Sequence, residues 1–269
     1  MKLKRLLEYD KSPVTMNVDK TSDEDKKFSK ISDYIKKHRG DELGVGYFAI
    51  VYDKPGSVNT VIKTGDSDFM NGRFYDPYLD FIIKLMENPR AYNNPFLPQI
   101  FSIKLDCVSY EGKGYDAFDD CKYVIEMEKL EPLDPTDDQT WHKEKIRNNL
   151  VNDQNDSISQ IILMLSRLTN LTPEEYLDRV FSVFDTHMKI GVRHIWKGVM
   201  ERLFHPYMTT PSREMKTKEP VYITNKQLLE AIRLLSRHGK GLDIDMHYNN
   251  VMIRRSRYGL QLVITDPFS

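Results

Sequence analysis

The sequence predicts an α+β fold with two lobes, in which a β-rich first half precedes a mainly helical second half. Between residues 40 and 130, short β-branched and aromatic runs are separated by turn signals such as Pro55–Gly56. After about residue 136 the apolar residues recur every three or four positions, which indicates helices. We therefore predict an N-terminal extension with a short helix (1–39), a β-rich lobe (40–130) and a helical lobe (131–269).

In the first half, the patterns predict two helices among several strands. The first 25 or so residues are polar and are expected to form a solvated lead-in. A helix over Phe28–His38 would end at Gly40 and present one apolar face, and a second over Pro77–Glu87 would stop at Asn88–Pro89. The predicted strands lie at 43–52, 59–63, 100–110 and 122–127.

The second half has three well-marked helices before a short terminal hairpin. An apolar helix is predicted over Ser157–Leu168, and a second starts at Thr172, whose hydroxyl would cap it ahead of Pro173. Its apolar stripe, running from residue 176 to 203, is typical of core packing. A third helix over Lys226–His238 would be capped by Thr224 and Asn225, and residues 242–269 read as loop, strand, turn and strand.

Bulk charge and apolar content exclude some classes of function. The formal net charge is −1, from 39 basic and 40 acidic residues, so we expect no broad nucleic-acid-binding surface. No apolar run is long enough for a signal peptide or a membrane span, which predicts a cytoplasmic protein. Cys107 and Cys121 form no C-x-x-C motif and are predicted to be reduced thiols; a disulfide is the alternative, because they flank a predicted hairpin.

Four local features carry candidate chemistry, and the first two lie in the β-rich half. Gly44 and Gly46 are followed by an aromatic and a small residue, which suits a tight lid whose backbone approaches phosphates. A plain glycine-containing hairpin is the alternative, and neither a Walker A loop nor a Rossmann turn fits. Lys63 ends an apolar strand 63 − 46 = 17 residues after the second glycine and could reach those phosphates; a solvated edge-strand lysine is the alternative.

The other two features lie in the terminal hairpin. Asp245 is followed five residues later by Asn250 and then by an apolar strand. Such an aspartate can accept a hydroxyl proton, while the asparagine oxygen can bind Mg²⁺. Asp266 ends the next apolar strand and offers the hard carboxylate oxygen that Mg²⁺ prefers. Turn and capping roles are the alternatives for all three residues.

Taken in order, the four features resemble the signature of protein kinases over residues 40–268. Asp-Met-His-Tyr-Asn-Asn-Val-Met at 245–252 and Ile-Thr-Asp-Pro at 264–267 are most similar to the early-gene serine/threonine kinases of short-tailed bacteriophages. The resemblance implies ATP and Mg²⁺ as cofactors and host proteins, including transcription machinery, as substrates in the host cytoplasm. It leaves the oligomeric state open.

The resemblance assigns roles to individual residues. It implies Asp245 as catalytic base, Lys63 as the phosphate-binding lysine, and Asn250 and Asp266 as metal ligands. Lys63 and His247, which stands where protein kinases usually have a lysine, are counted with Asp245 as catalytic residues. The expected nucleotide-binding residues come from the glycine loop, the neighbouring strands, the hinge at 124–128 and the catalytic loop: Gly44, Val45, Gly46, Tyr47, Val51, Ile62, Lys63, Asp80, Glu126, Met127, Glu128 and Met252. Asp80 is the expected acidic partner of Lys63, with Asp76 and Glu87 as alternatives.

Departures from the kinase pattern keep other functions open. Ile244 replaces the arginine that usually precedes the catalytic aspartate, and the sequence ends without an activation segment or the helices that follow it. His247 gives an Asp-x-His-x-x-Asn loop that aminoglycoside phosphotransferases share, so a small-molecule kinase is one alternative. Asp134, Asp137 and Asp138 would then be candidates for binding a cationic substrate. A kinase-shaped protein that inhibits a host partner is the other alternative.

Overall fold

The computed structural model divides the chain into two compact units. The first unit comprises residues 1–93 and 98–129, and the second comprises 94–97 and 130–269. The structure describes residues 15–21, 28–70, 73–86, 93–110, 118–132, 140–141, 143–152, 157–181, 190–191, 203–204, 222–238, 250–257 and 259–266. The fold class is α+β, with a mostly antiparallel sheet and several helices.

The first unit is built on one large, mainly antiparallel sheet. Its strands are β1 (Thr15–Thr21), β2 (Glu42–Val45), β3 (Ala49–Asp53), β4 (Thr60–Met70), β5 (Arg73–Phe74), β6 (Ile100–Tyr110) and β7 (Phe118–Glu128). The order across the sheet is β1-β6-β7-β4-β3-β2, and β5 pairs with β4. The long strands β4, β6 and β7 form the centre, where β-branched and aromatic residues are buried.

The edge strand β1 differs from the predicted polar lead-in. It runs parallel to β6, with Thr15 opposite Ser102 and Thr21 opposite Val108. Its sequence, Thr-Met-Asn-Val-Asp-Lys-Thr, alternates only weakly. The backbone hydrogen bonds of a long-range parallel pair form this strand, and local sequence does not reveal that pairing.

Helix α1 (Ser29–His38) covers one face of this sheet through the predicted apolar stripe. Ile31 lies on buried Ile62 of β4 and Val124 of β7. The other predicted members of the stripe, Phe28, Tyr34 and Ile35, pack around that cluster. The predicted helix and its buried face are therefore confirmed.

Helix α2 (Pro77–Met86) covers the opposite face of the sheet. Its buried residues include Tyr78, Leu79, Phe81, Ile82 and Leu85. The predicted helix is confirmed, with Pro77 at its first position, where the missing amide costs no helical hydrogen bond.

Strands β6 and β7 are joined by a disulfide, so the prediction of two reduced thiols is wrong in this structure. The register places Cys107 directly opposite Cys121, with the Cα atoms 4.1 Å apart and the sulfurs 2.13 Å apart. Both side chains are buried. Sequence spacing alone could not reveal this register.

The described residues of the second unit include four helices, and the sequence patterns predicted all of them except the first. They are α3 (Lys143–Asn152), α4 (Ser157–Thr169), α5 (Pro173–Phe181) and α6 (Lys226–His238). The α5 cap is reciprocal: the Glu175 amide donates to the Thr172 hydroxyl (3.2 Å), and the Thr172 amide donates to the Glu175 carboxylate (2.8 Å). At α6, Asn225 Oδ1 accepts from the amides of Gln227 and Leu228 at 3.0 and 3.1 Å.

The second unit also holds a three-stranded sheet. Strands β11 (Val251–Ser256) and β12 (Gly259–Ile264) form the predicted terminal hairpin, and β8 (Glu131–Pro132) pairs with β11. Two short strands, β9 (Thr140–Trp141) and β10 (Ile190–Gly191), pair separately. Within the described residues, no helix has the length and apolarity needed to cross a bilayer.

Candidate functional site

In the first unit, three of the predicted nucleotide-binding residues lie in one row across neighbouring strands. Gly44 of β2 is opposite Val51 of β3, Val51 is opposite Lys63 of β4, and Lys63 is opposite Ile125 of β7. Residues directly opposite each other in a sheet project from the same face. The register therefore brings the glycine loop and the candidate phosphate-binding lysine onto a common surface, which we call the Lys63 face.

Lys63 is buried in this face, with 6% of its surface exposed. Its ammonium nitrogen lies 3.7 Å from the centre of the Tyr78 ring, at the start of α2. A buried ammonium needs a compensating electrostatic partner, and the face of an aromatic ring supplies one. The alternative prediction of a solvated edge-strand lysine is therefore wrong.

The glycine loop has room for a ligand. A Cβ atom added to Gly44 would meet nothing within 4 Å, and one added to Gly46 would meet only the Ala49 carbonyl oxygen, at 3.5 Å. The positive-φ glycines among the described residues are Gly56 and Gly259, so backbone conformation does not require glycine at 44 or 46 either. Missing side chains here leave open the approach to the backbone that a phosphate group would use.

A third glycine, which the sequence analysis did not single out, has an internal role. A Cβ atom on Gly65 would lie 2.6 Å from the Tyr123 hydroxyl oxygen and closer still to the Phe48 carbonyl oxygen. The Phe48 ring also contacts the Tyr75 ring, with centroids 5.9 Å apart. Gly65 therefore lets the turn after Gly46 lie directly on β4.

The expected pairing of Lys63 with Asp80 is wrong. The Asp80 carboxylate forms an ion pair with Lys84, one turn later in α2, and accepts from the Phe74 amide at 3.4 Å. The alternative, Asp76, is 1% exposed and caps α2, because its Oδ1 accepts from the amides of Tyr78 and Leu79. Local helix interactions therefore occupy both carboxylates, and Glu87 lies outside the described residues.

Asp76 also connects α2 to the sheet. Its second carboxylate oxygen accepts a hydrogen bond from the Tyr123 hydroxyl, and its amide donates to the Ser67 hydroxyl at 2.9 Å. Tyr123 is fully buried. A buried carboxylate with this many donors is a rigid junction between strand and helix.

Several predicted nucleotide-binding residues occupy other places. Ile62 is fully buried under α1 on the opposite face of the sheet from Lys63, so it cannot contact a nucleotide there. Val45 belongs to that same opposite face by register, whereas Met127 lies on the Lys63 face. Tyr47 is 92% exposed, in the turn between β2 and β3.

Glu126 also lies beneath α1. Its carboxylate accepts from the Tyr34 hydroxyl and forms an ion pair with Lys54 at 2.8 Å. Burial alone would raise the pKa of Glu126, but the hydrogen bonds from Lys54 and Tyr34 outweigh it and lower that pKa. Burial, followed by the bond to Glu126, raises the pKa of Tyr34. The Glu126 side chain therefore fastens α1 to the sheet.

The end of the predicted hinge is bonded within the first unit. The Glu128 amide donates to the Gln99 carbonyl at 2.9 Å, while the Gln99 amide donates to the Glu128 carboxylate at 2.6 Å. The Lys129 amide donates to the Asn59 carbonyl at 2.9 Å. The backbone amides of Glu128 and Lys129 therefore donate to carbonyl groups within the protein and are not available to bind an adenine ring.

In the second unit, the two predicted metal ligands lie at the same end of the β11–β12 hairpin. The last register pair is Val251 opposite Ile264, and beyond it the Thr265 amide donates to the Asn250 carbonyl at 2.8 Å. Asp266 follows directly and is partly exposed, as is Asn250. The hairpin register therefore places Asn250 and Asp266, which are 16 positions apart (266 − 250), at the same end of the hairpin.

A short segment, Asn94–Leu97, anchors this hairpin within the same unit. The Ile264 amide donates to the Phe96 carbonyl at 2.8 Å, and the Arg254 guanidinium donates to the carbonyls of Pro95 and Leu97 at 2.7 and 3.2 Å. These bonds fix both strands just behind the candidate ligands. Met252, another predicted nucleotide contact, alternates with buried Val251 and Ile253 and is partly exposed.

The strand β8 adds a second fastening to the hairpin. Arg255 donates to both carboxylate oxygens of Glu131, with its Nε at 3.0 Å from Oε1 and its terminal nitrogen at 2.9 Å from Oε2. This bidentate pair raises the pKa of the Arg255 guanidinium. It joins β8 to β11 beside their backbone pairing.

The donors at the hairpin end fit Mg²⁺. This ion takes oxygen ligands and often uses only one or two carboxylates, the remaining positions being filled by water and phosphate. The described residues contain no group of three or more histidine, cysteine or acidic side chains arranged to hold a metal. The amide oxygen of Asn250 and the carboxylate of Asp266 are oxygen donors of the kind that this ion takes. Asp245 and His247 lie outside the described residues, as do Asp134, Asp137 and Asp138.

Comparison of the chain with models of known protein families gave no match. Comparison with curated proteins gave none either.

Proposed function

We propose that the protein is an ATP- and Mg²⁺-dependent phosphotransferase of the protein-kinase-like class. The observation that carries the proposal is the row of Gly44, Val51 and Lys63 on one face of the sheet. A phosphate-binding surface needs accessible backbone and a fixed cation, and this row contains both features. An antiparallel sheet in the first unit and helices with a terminal hairpin in the second support a bilobal kinase-like fold.

The hairpin end supports the same reaction class. Asn250 and Asp266 both lie at the end of β11 and β12, and three sets of hydrogen bonds hold the strands behind them. Oxygen ligands carried on a fixed backbone are what a phosphoryl-transfer site requires of the protein.

In this proposal each residue has a separate task. Mg²⁺–ATP supplies the transferable phosphoryl group and the charge that neutralises it. Lys63 binds phosphate oxygens, Asn250 and Asp266 hold the metal, and Asp245 orients the substrate hydroxyl and accepts its proton. The substrate class we propose is serine or threonine on host proteins, including transcription machinery, after the resemblance to early-gene kinases of short-tailed bacteriophages.

Transfer of labelled γ-phosphate from Mg²⁺–ATP to a bacterial lysate tests the proposal. Wild-type protein should label lysate proteins, and both Asp245→Ala and Lys63→Ala should remove the label. Lys36→Ala is the matched control for Lys63, because Lys36 is an exposed lysine on α1. Label that survives in Asp245→Ala, or the lack of transfer and of ATP turnover in the wild type, would refute the assignment.

A small-molecule phosphotransferase is the second candidate. His247, in the Asp-x-His-x-x-Asn loop, is the observation that favours it. In the same assay, a small-molecule kinase would leave lysate proteins unlabelled but would transfer phosphate to a low-molecular-weight fraction. Binding of a host protein without either transfer would favour the inhibitor alternative instead.

A further inference from the structure

Tyr78 contacts the Lys63 ammonium through the face of its ring. The ammonium nitrogen stands 3.7 Å above the ring centre, well within the range of a cation–π interaction. Both side chains are buried, at 6% and 2% exposure, so water screens this interaction little.

Tyr78 is held in place through its ring hydroxyl and through its backbone. Its hydroxyl reaches the Met127 sulfur at 4.0 Å, and its own amide donates to Asp76 Oδ1 at 2.8 Å. Asp76 is in turn bonded by the Tyr123 hydroxyl. Tyr123 and Met127 flank Ile125, the register partner of Lys63 on β7.

We propose that Tyr78 is a positioning residue that holds the Lys63 ammonium on the Lys63 face, and that Asp76 and Tyr123 fix Tyr78 for this task. The helix that follows the lysine strand thus acts on the lysine through an aromatic ring. The two acids described at this helix have other partners: Asp76 caps it, and Asp80 pairs with Lys84. The part of this inference that concerns nucleotide binding rests on the proposed function.

The test compares Tyr78→Leu with Tyr78→Phe, which keeps the ring. Binding of ADP and of adenosine is measured by calorimetry, because only ADP carries phosphates for Lys63 to bind. Tyr78→Leu should weaken ADP binding about ten-fold and leave adenosine binding unchanged, while Tyr78→Phe stays near wild type. A merely structural defect would weaken both ligands together, and that result would overturn the proposal.

A second measurement needs no nucleotide. The rate at which an amine-selective acylating reagent modifies Lys63 in the free protein is followed by mass spectrometry. Tyr78→Leu should accelerate modification of Lys63 but not of exposed Lys36, and Tyr78→Phe should not. Equal rates in all three proteins would overturn the proposal.

The two measurements separate the inference from the proposed function. If the wild-type protein does not bind ADP, but Tyr78→Leu accelerates acylation of Lys63, the proposed function fails and the positioning role stands. If Lys63→Ala weakens ADP binding but Tyr78→Leu does not, the positioning role fails and the proposed function stands.

Should Tyr78→Leu not fold, Asp76→Asn replaces it: this variant keeps an acceptor for the helix amides and loses the acceptor for Tyr123. It should also weaken ADP binding selectively, and unchanged ADP binding would overturn the proposal.

Discussion

Replacing Gly65 by alanine tests the packing of the glycine turn against the sheet. The new methyl group would overlap the Phe48 carbonyl oxygen and lie 2.6 Å from the Tyr123 hydroxyl oxygen. Real Cβ atoms do not approach other heavy atoms this closely, so the turn or the tyrosine must move. Moving the tyrosine would break its hydrogen bond to buried Asp76.

The expected cost follows from these two contacts. Forcing backbone to shift in a packed interior costs about 1–3 kcal/mol. Losing a buried hydrogen bond to a carboxylate costs about 1.5–3 kcal/mol. Alanine returns about 0.4–1 kcal/mol by restricting the unfolded chain. Because the two costs are partly alternative ways of relieving one clash, the free energy of unfolding should fall by about 2–4 kcal/mol.

Urea unfolding followed by circular dichroism measures this change. At an m-value of about 2 kcal/mol/M, the transition that reports on the first unit should move down by about 1–2 M. Gly44→Ala is the matched control, since its Cβ would meet nothing within 4 Å and its midpoint should stay within error of wild type. A Gly65→Ala midpoint equal to that of Gly44→Ala would refute the packing argument.

Three further outcomes are expected. Asp266→Asn should reduce phosphoryl transfer about a hundred-fold or more and remove the Mg²⁺ dependence of nucleotide binding. The control Glu230→Ala, at an exposed position on α6, should change neither property. Unaltered Mg²⁺ dependence in Asp266→Asn would place the metal elsewhere. Because the folded protein lowers the pKa of Glu126 below its ordinary 4.5, the stability that its carboxylate adds should be complete at pH 7 and fade as the pH falls below about 4.5. Glu126→Gln should therefore be less stable than wild type at pH 7 in urea unfolding, with the gap closing at pH 3; a gap that is equal at both would contradict this. Alkylation of unfolded, unreduced protein should leave Cys107 and Cys121 unmodified, and two alkylated thiols before reduction would disprove the disulfide. Reduction of the disulfide should lower the free energy of unfolding by about 3 kcal/mol.

Local signals in the sequence were sufficient for the terminal hairpin and for the described helices other than α3, although the apolar stripe predicted to continue from α5 to residue 203 contains the strand β10. The Thr172 cap, the stripe on α1 and the stretch between Asn250 and Asp266 each depend on neighbours within one turn or one hairpin. Interactions at this range can be predicted from the sequence, because caps, apolar periodicity and turns need no distant partner.

Features that depend on long-range pairing were not predictable in this way. Strand β1 forms through its parallel pairing with β6. The disulfide forms because the antiparallel register of β6 and β7 places the two cysteines opposite each other. The need for glycine at 65 arises from two segments that meet there, Phe48 and Tyr123. The expected partner Asp80 failed for a different, local reason, because Lys84, four residues later in the same helix, forms an ion pair with it. The aromatic contact of Lys63 with Tyr78 depends instead on how α2 packs on the sheet.

The segment Asn94–Leu97 has a consequence for dissecting the molecule. It belongs to the second unit, yet residues on both sides of it, up to 93 and from 98 to 129, belong to the first. The polypeptide therefore leaves one unit, supplies a few residues to the other and returns, so no single cut separates them. A fragment beginning at residue 130 would leave the Ile264 amide and the Arg254 guanidinium without their carbonyl acceptors. During synthesis, residues 94–97 emerge long before the hairpin they bind, so the second unit can be completed only after the last strands have been translated.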